Sequence, residues 1–291
     1  MHYNRRLFLK SMAGIIGSSF IPRHLYAQKE ADLVDRVALG DSGLQVSRLA
    51  LGTGTHGWKN RSDQTKLGFK GFNDLAAFAY DHGVTFLDVA DIYGSHHYVK
   101  KLWNVIPRDK FTIMSKVWTQ PNNWLQVKDA NAALDRFRKE MNVDMIDLVL
   151  MHSQVDVQWD KKYESWLEQL SRAKEKGIIR AHGVSCHSLE ALKRASELSW
   201  VDVILARINY NGDRMDGDPS VIMPILAKMH AQGKGVIGMK IFGCGNLVKD
   251  EQREKSLRYV LKSGNVDAMT IGFVAPEQIV DTIKRVNHIV G

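Results

Sequence analysis

Eight short apolar runs recur along the chain, and amphipathic segments separate them. We predict that the runs are β-strands, at residues 48–51, 85–89, 112–116, 146–151, 180–185, 203–207, 235–240 and 268–272. Strands that alternate with helices through short links favour a parallel sheet. Eight such units can close into a barrel of about 250 residues, which fits within a chain of 291 residues. The sequence therefore predicts one α/β barrel domain.

Apolar residues between the strands recur at helical spacing. Three groups show the period: Ala132, Leu134, Phe137 and Met141; Trp166, Leu167, Leu170 and Ala173; and Val221, Ile225 and Met229. Before the first strand, the apolar runs 36–39 and 44–46 flank Asp41, Ser42 and Gly43. A short polar turn with a Gly between two apolar runs is typical of a β-hairpin.

Polar side chains interrupt or follow several predicted strands. Asp88 lies inside the second run, and Tyr93 follows on the next loop. A carboxylate that is buried without a partner is costly, so Asp88 needs a cation, and Lys116 at the end of the third run is the candidate. His152 directly follows the fourth run. Because the carboxyl ends of barrel strands meet at one face, we expect these side chains to converge there.

These residues resemble the signature of the aldo-keto reductase superfamily. Its Asp-x-Ala-x-x-Tyr-Gly motif is formed here by Asp88, Ala90, Tyr93 and Gly94, and Lys116 and His152 follow in the order of the family's catalytic tetrad. The resemblance continues in the segments 39–53, 183–188 and 242–247. It implies a (β/α)8 TIM barrel over residues 36–291, with an amino-terminal β-hairpin that plugs the amino-terminal mouth. Residues 28–35 would be a mobile lead.

The resemblance also implies a reaction, the reduction of a carbonyl by hydride. Tyr93 would donate the proton, although a phenol with an ordinary pKa near 10 is a poor acid at neutral pH. The ammonium of Lys116 would favour the phenolate, and Asp88 would hold Lys116 in place and charged. His152 would orient the substrate oxygen. We expect an oxidoreductase that uses NADPH, with NADH as the alternative, to reduce an aldehyde, a ketone or an oxidised sugar.

The cofactor positions match the family less closely. The candidates are Gly52, Thr53, Ser185, Cys186, Arg207, Tyr210, Lys240, Gly243, Gly245, Leu247 and Gln278. Cys186 stands where the family usually has Asn, and Arg207 where it often has Gln. Glycines in the loop 242–247 would let backbone amides approach phosphate, and Lys240 would add charge. Gln278 and Thr282 replace the basic residue and the Asn that commonly contact the ribose phosphate, so the choice between NADP and NAD stays open.

Two other functions stay open at this point. The altered Cys186 and Arg207 would suit a barrel that binds the dinucleotide as a redox-sensing or accessory module without significant turnover, although the intact tetrad opposes this. A sugar isomerase or epimerase with a retained cofactor is the other alternative. Trp58, Trp118 and Trp124 on strand-end loops are either pocket walls or simply partly buried residues.

The amino terminus carries much of the net charge. The chain has 40 basic and 32 acidic residues, a balance of +8, and residues 1–27 hold four basic residues and no acidic one. Without these four, 36 basic residues stand against 32 acidic ones, and no basic run remains. This pattern disfavours nucleic acid as a partner.

Residues 4–10, Asn-Arg-Arg-Leu-Phe-Leu-Lys, resemble a twin-arginine export signal. An apolar stretch at 12–21 and a candidate cleavage point after Ala27 follow. We expect residues 1–27 to be a signal peptide that export machinery recognises, and the protein to be periplasmic or otherwise exported. A basic amphipathic tail is the alternative. The stretch is shorter than the about 20 residues that span a bilayer, so we expect no stable membrane anchor.

Cysteine and histidine content predicts neither a disulfide framework nor a metal site. The two cysteines, Cys186 and Cys244, lie in separate segments, and we expect both to be free thiols. His96 and His97 are adjacent, but neighbouring side chains diverge and no carboxylate cluster joins them, so we expect no metal.

Overall fold

The computed structural model describes residues 33–120, 124–125 and 127–291. Its barrel strands are β3 (Leu49–Gly52), β4 (Phe86–Asp88), β5 (Thr112–Trp118), β6 (Ile146–Gln154), β7 (Ile179–Cys186), β8 (Val203–Arg207), β9 (Gly235–Met239) and β10 (Ala268–Ile271). They are parallel and form a closed barrel, in the order β10-β3-β4-β5-β6-β7-β8-β9. Helices alternate with the strands, so the predicted (β/α)8 TIM barrel is confirmed.

The alternation of side chains along each strand positions the functional residues. Phe86 of β4 and Met114 of β5 point into the barrel and belong to its inner apolar cluster. Leu87 follows Phe86, and Ile113 precedes Met114. Both point outward and pack in the apolar cluster shared with the helices. Because the side-chain period is two residues, Asp88 and Lys116 share the inner face with Phe86 and Met114.

The helices pack their apolar faces on the outside of the barrel. They are α1 (Gly68–Asp81), α2 (His96–Leu102), α3 (Ala130–Met141), α4 (Trp159–Lys162), α5 (Glu164–Glu175), α6 (Leu189–Glu197), α7 (Pro219–Ala231), α8 (Asp250–Leu261) and α9 (Pro276–Val290). Asp129 caps α3 by accepting a hydrogen bond from the Ala132 amide.

The predicted helix faces were wrong at two residues. Ala132 is exposed, and Ala133 is buried in its place. Val221 is 42% exposed, whereas the residue after it, Ile222, is buried. The other predicted residues of these two helices, Leu134, Phe137, Met141, Ile225 and Met229, are buried or partly buried. The helical period was therefore right, and only the small Ala132 and the β-branched Val221 lie beside the buried face.

The predicted hairpin is also confirmed. Strands β1 (Arg36–Ala38) and β2 (Gln45–Ser47) pair antiparallel, with Val37 opposite Val46. Leu39 and Leu44 at its turn are buried in the inner apolar cluster of the barrel, so the hairpin closes the amino-terminal mouth. Gly40 has a positive φ of 50°, and a Cβ there would overlap the backbone of the turn between α7 and β9.

Residues 33–35 of the expected mobile lead are packed against the barrel. Val34 is buried, its amide donates to the His82 carbonyl (3.2 Å), and Asp35 pairs with Arg48 at 2.6 Å. Residues 28–32 and the expected signal peptide, residues 1–27, lie outside the described residues. Among the residues that are described, no helix is long and apolar enough to cross a membrane.

Candidate active site

The four residues of the expected tetrad lie at the carboxyl-terminal mouth of the barrel. Asp88 is the last residue of β4, Lys116 lies in β5 and His152 lies in β6. Tyr93 ends a 3-10 helix that starts at Asp91, directly after β4. Neighbouring strands and one short turn thus bring together a carboxylate, an ammonium, an imidazole and a phenol.

Asp88 and Lys116 form a buried ion pair. Lys116 Nζ donates to Asp88 Oδ1 and to the Val89 carbonyl oxygen (3.0 Å). Thr270 Oγ1 donates to the other carboxylate oxygen, Asp88 Oδ2 (2.7 Å). Burial alone would lower the pKa of Lys116, but Asp88 and, to a smaller extent, Tyr93 together outweigh it, and the pKa is raised. Lys116 therefore stays charged inside the barrel.

Tyr93 lies between this ion pair and His152. Its ring centroid is 4.8 Å from Lys116 Nζ, and its hydroxyl is 3.4 Å from His152 Nε2. Gly54 and Gly57 allow the ring to sit there, because a Cβ on either would overlap it. Burial raises the pKa of Tyr93, and the opposing effect of Lys116 is smaller. Lys116 thus lowers the pKa of Tyr93, as expected, but burial raises it by more. The phenol therefore stays protonated.

His152 is a neutral imidazole. Burial, with smaller contributions from charged neighbours such as Lys116 and Lys240, holds its pKa well below the usual value of 6.5. Its Nδ1 is buried and has no hydrogen-bond partner among the described residues. The Trp118 ring packs edge-on against the imidazole, with centroids 5.4 Å apart. A neutral imidazole carries one N–H, so His152 can donate a hydrogen bond to a substrate oxygen while it stays uncharged.

A cavity of about 370 Å³ opens beside the tetrad. Asp88, Tyr93 and Lys116 line it, and it extends between the loops that follow β3, β9 and β10. Four expected cofactor residues also line it: Gly52, Lys240, Gly245 and Gln278. The lining does not include the other seven: Thr53, Ser185, Cys186, Arg207, Tyr210, Gly243 and Leu247.

Several of these seven have partners within the protein. The Thr53 hydroxyl donates to the Asp88 carbonyl oxygen (2.8 Å), and Ser185 Oγ accepts from the Ser153 amide (2.8 Å). Cys186 packs in the outer apolar cluster, and burial raises the pKa of its thiol. Cys186 and Cys244 are both free thiols, as expected.

Arg207 is held by two neighbours at the barrel mouth. It forms an ion pair with Asp216 at 3.0 Å, and its Nη2 donates to His187 Nδ1 (2.6 Å). Burial and the nearby Arg207 lower the pKa of His187 to about 3, so His187 accepts this hydrogen bond as a neutral ring. The guanidinium is therefore already engaged by the protein.

Sequence reasoning missed several residues of the cavity wall. Thr55, His56 and Asp63 reach it from the loop after β3, and Arg253 reaches it from α8. No motif marks these four residues. Phe242 and Cys244 also line the cavity, and they lie in the segment 242–247 that the family resemblance had marked.

The aldo/keto reductase family pattern matches residues 48–289, which contain all eight barrel strands. The chain belongs to the aldo/keto reductase family. Members of this family are oxidoreductases that use NAD(P)H.

Curated relatives of this reductase match part of its length. "Probable aldo-keto reductase 1" from Glycine max is 27% identical over 181 residues, 59% of this chain and 50% of that protein. D-threo-aldose 1-dehydrogenase from Pseudomonas sp is 23% identical over 203 residues, 60% of each chain. The matched region thus spans half the length of the first relative and 60% of the second.

Solved structures match it over more of the chain. A Pseudomonas aeruginosa protein assigned to the aldo-keto reductases is 25% identical, with a TM-score of 0.72 over 88% of this chain and 96% of that one. An aldo-keto reductase from Klebsiella pneumoniae in complex with NADPH is 16% identical, with a TM-score of 0.64 over 88% and 90%. At such low identity, the second likeness shows the fold alone.

Two features of this cavity suit the diphosphate of a dinucleotide. Lys240 lines the cavity, and among the described residues no carboxylate lies within ion-pairing distance of its ammonium. Gly245, also in the wall, has a φ of 97° and no atom within 4 Å of where a Cβ would stand. An unpaired cation beside open backbone suits a diphosphate. Within the described part of the chain, no group of three or more His, Cys, Asp or Glu side chains could hold a metal ion.

Proposed function

We propose that this oxidoreductase reduces the carbonyl group of an aldehyde, a ketone or an oxidised sugar, and that NADPH is its cofactor, with NADH as the alternative. The observation that carries the proposal is Tyr93, which lines the cavity together with the Lys116–Asp88 ion pair and whose hydroxyl lies 3.4 Å from His152 Nε2. Sugars are included because one relative is named as an aldose dehydrogenase.

The residues of the site have complementary roles in this reaction. A bound NAD(P)H supplies hydride to the carbonyl carbon. Tyr93 gives its proton to the carbonyl oxygen as negative charge develops there. The Lys116 ammonium stabilises the phenolate that remains, and Asp88 keeps that ammonium charged. His152 donates a hydrogen bond that orients the oxygen. Asp88, Lys116 and His152 are buried and Tyr93 is partly buried, which makes these interactions stronger than they would be in water.

Lys240 provides a test of where the dinucleotide binds. A hydrogen bond to a charged group contributes about 1.5–3 kcal/mol, so Lys240→Met should weaken NADPH binding on the order of ten- to a hundredfold. Lys255, which is exposed on α8 and outside the cavity, supplies the matched control Lys255→Met, which should bind as the wild type does. Fluorescence titration of the three proteins with NADPH and NADH measures both. Failure of the wild type to bind either dinucleotide would refute the proposed function.

A dinucleotide-binding module without turnover is the second candidate function. It is favoured by Arg207, whose guanidinium is engaged by Asp216 and His187 and does not line the cavity. The two functions differ in one result. The module binds NADPH but never oxidises it, whatever carbonyl is offered.

We also propose that the protein is exported through a twin-arginine signal at Arg5 and Arg6. Replacing both with Lys should leave the protein in the cytoplasm, because such signals depend on the arginine pair. Lys10→Arg keeps the pair and should be exported normally. Cell fractionation measures the outcome, and normal export of the double-Lys variant would contradict the proposal.

A further inference from the structure

A buried polar network joins the Tyr93 turn to the strand that carries Lys116. Asp91 begins the 3-10 helix that ends at Tyr93, and its side chain has no exposed surface. Its Oδ2 accepts a hydrogen bond from the Trp118 amide of β5 (3.1 Å) and another from Arg136 Nη2 of α3 (3.3 Å). One carboxylate oxygen therefore links the Tyr93 turn, β5 and α3.

The network returns from α3 to the residue before Lys116. Arg136 Nη1 donates to Glu140 Oε1 (3.1 Å), and Glu140 Oε2 lies 2.7 Å from His96 Nδ1. His96 Nε2 lies 2.9 Å from Ser115 Oγ in β5. Burial lowers the pKa of His96, so its neutral ring donates to Glu140 and accepts from Ser115. The contacts thus begin and end on β5.

The carboxylate of Asp91 lies where burial disfavours its charged form. Its Oδ1 is buried with no hydrogen-bond partner among the described residues. Burial raises the pKa of Asp91 to about 6, and the Trp118 amide and Arg136 oppose this only in part. A charge in such a place is a poor means of stabilising a fold. Its position two residues before the proposed proton donor points to catalysis.

We propose that Asp91, held by Arg136, is a positioning residue that fixes the Tyr93 hydroxyl relative to Lys116 and His152. The catalytic part of this proposal rests on the carbonyl reduction proposed above. Asp91 does not line the cavity and acts through Tyr93. A misplacement of about 1 Å at a reacting group can cost a hundredfold in rate, and loss of this link should therefore lower turnover while the dinucleotide still binds.

The proposal implies that turnover falls as the pH drops through about 6, because a neutral Asp91 loses its ionic link to Arg136. The other charged and titratable groups around Asp91 are Glu140 of α3, His96 of α2 and Tyr93 of its own turn. Glu140 and His96 have pKa values below their usual ones, and Tyr93 has one above its own. Within this network, Asp91 is the carboxyl whose pKa burial raises, to about 6.

Acid does not unfold the protein through this group. The folded-state pKa of Asp91 is about 6, above the ordinary value of 3.8, so the folded state binds the proton more tightly than the unfolded state. Asp91 therefore adds stability as the pH falls through this window, and its contribution is lost as the pH rises through about 6. A fall in turnover near pH 6 with no fall in thermal midpoint separates positioning from a structural role.

Asp91→Asn provides the direct test, because it keeps an oxygen for the Trp118 amide and removes the charge. We expect turnover at pH 7 to fall at least about tenfold, the acid step near pH 6 to vanish, and NADPH affinity and thermal midpoint not to fall. The matched control is Asp135→Asn on α3, where Asp135 is 72% exposed and pairs with Arg138. It should behave as the wild type. Wild-type turnover with an unchanged acid step in Asp91→Asn would overturn the proposal.

A wild type that reduces no carbonyl would refute the proposed function instead, and hydrogen–deuterium exchange would then decide the role of Asp91. At pH 7, after correction for intrinsic rates, amides of residues 91–94 and 116–118 should be less protected in Asp91→Asn than in the wild type or in Asp135→Asn. Equal protection in all three proteins would overturn the positioning role.

Discussion

Tyr93→Phe should lower turnover by at least about a hundredfold, the scale of general acid catalysis, and leave dinucleotide affinity unchanged. The substitution removes one oxygen and keeps the ring that fills the space beside Gly54 and Gly57. The developing alkoxide then has no proton donor, since His152 is a neutral imidazole whose pKa lies far below its usual value. Steady-state rates with NADPH, together with fluorescence titration, separate the two effects.

The matched control for Tyr93→Phe is Tyr80→Phe. Tyr80 lies on α1, in the outer shell, and its ring packs against Phe111 at a centroid distance of 5.4 Å. Its substitution should change neither rate nor affinity. Normal turnover in Tyr93→Phe would remove Tyr93 from the role of proton donor.

Lys116→Met should abolish most turnover and also destabilise the fold. Lys116 is 1% exposed, and its ammonium is the cation paired with Asp88. Removal of one partner of a buried ion pair typically costs about 3–5 kcal/mol, because the other charge is left without compensation. The Thr270 hydroxyl that remains on Asp88 Oδ2 donates one hydrogen bond but supplies no charge. Urea unfolding of the variant measures the loss of stability.

The double variant Asp88→Asn, Lys116→Met separates stability from chemistry. It contains no unpaired charge, so most of the lost unfolding free energy should return, whereas turnover should stay low because the ammonium beside Tyr93 is still absent. A single Lys116→Met variant with the stability of the wild type would contradict the account of the ion pair. Recovery of turnover in the double variant would contradict the role of Lys116.

The barrel was predictable because its strands are apolar runs of the right length. The run at 203–207 coincides with β8 (Val203–Arg207), and β5 extends two residues past the predicted end at Lys116. The convergence of Asp88, Lys116 and His152 followed from the rule that barrel side chains meet at the carboxyl ends of strands. Local pattern and global topology agree at these positions.

Contacts between loops were not predictable in the same way. Arg207 pairs with Asp216 in the loop after β8 and with His187 directly after the neighbouring strand β7. No spacing in the sequence marks either partner. The link from Asp91 to Arg136 spans 45 residues. Such pairs depend on how distant segments pack in three dimensions, while periodicity reports on the local chain alone.

Transfer of deuterium from cofactor to substrate tests the central claim most directly. The purified protein would be incubated with NADPH labelled at C4, in separate 4R and 4S forms, and with a panel of aldehydes, ketones and oxidised sugars. We expect one of the two labelled forms to place deuterium on the carbinol carbon of an alcohol product, detected by mass spectrometry, and Tyr93→Phe to reduce that transfer about a hundredfold. Tight NADPH binding without transfer to any carbonyl from either form would contradict the assignment of this site to carbonyl reduction.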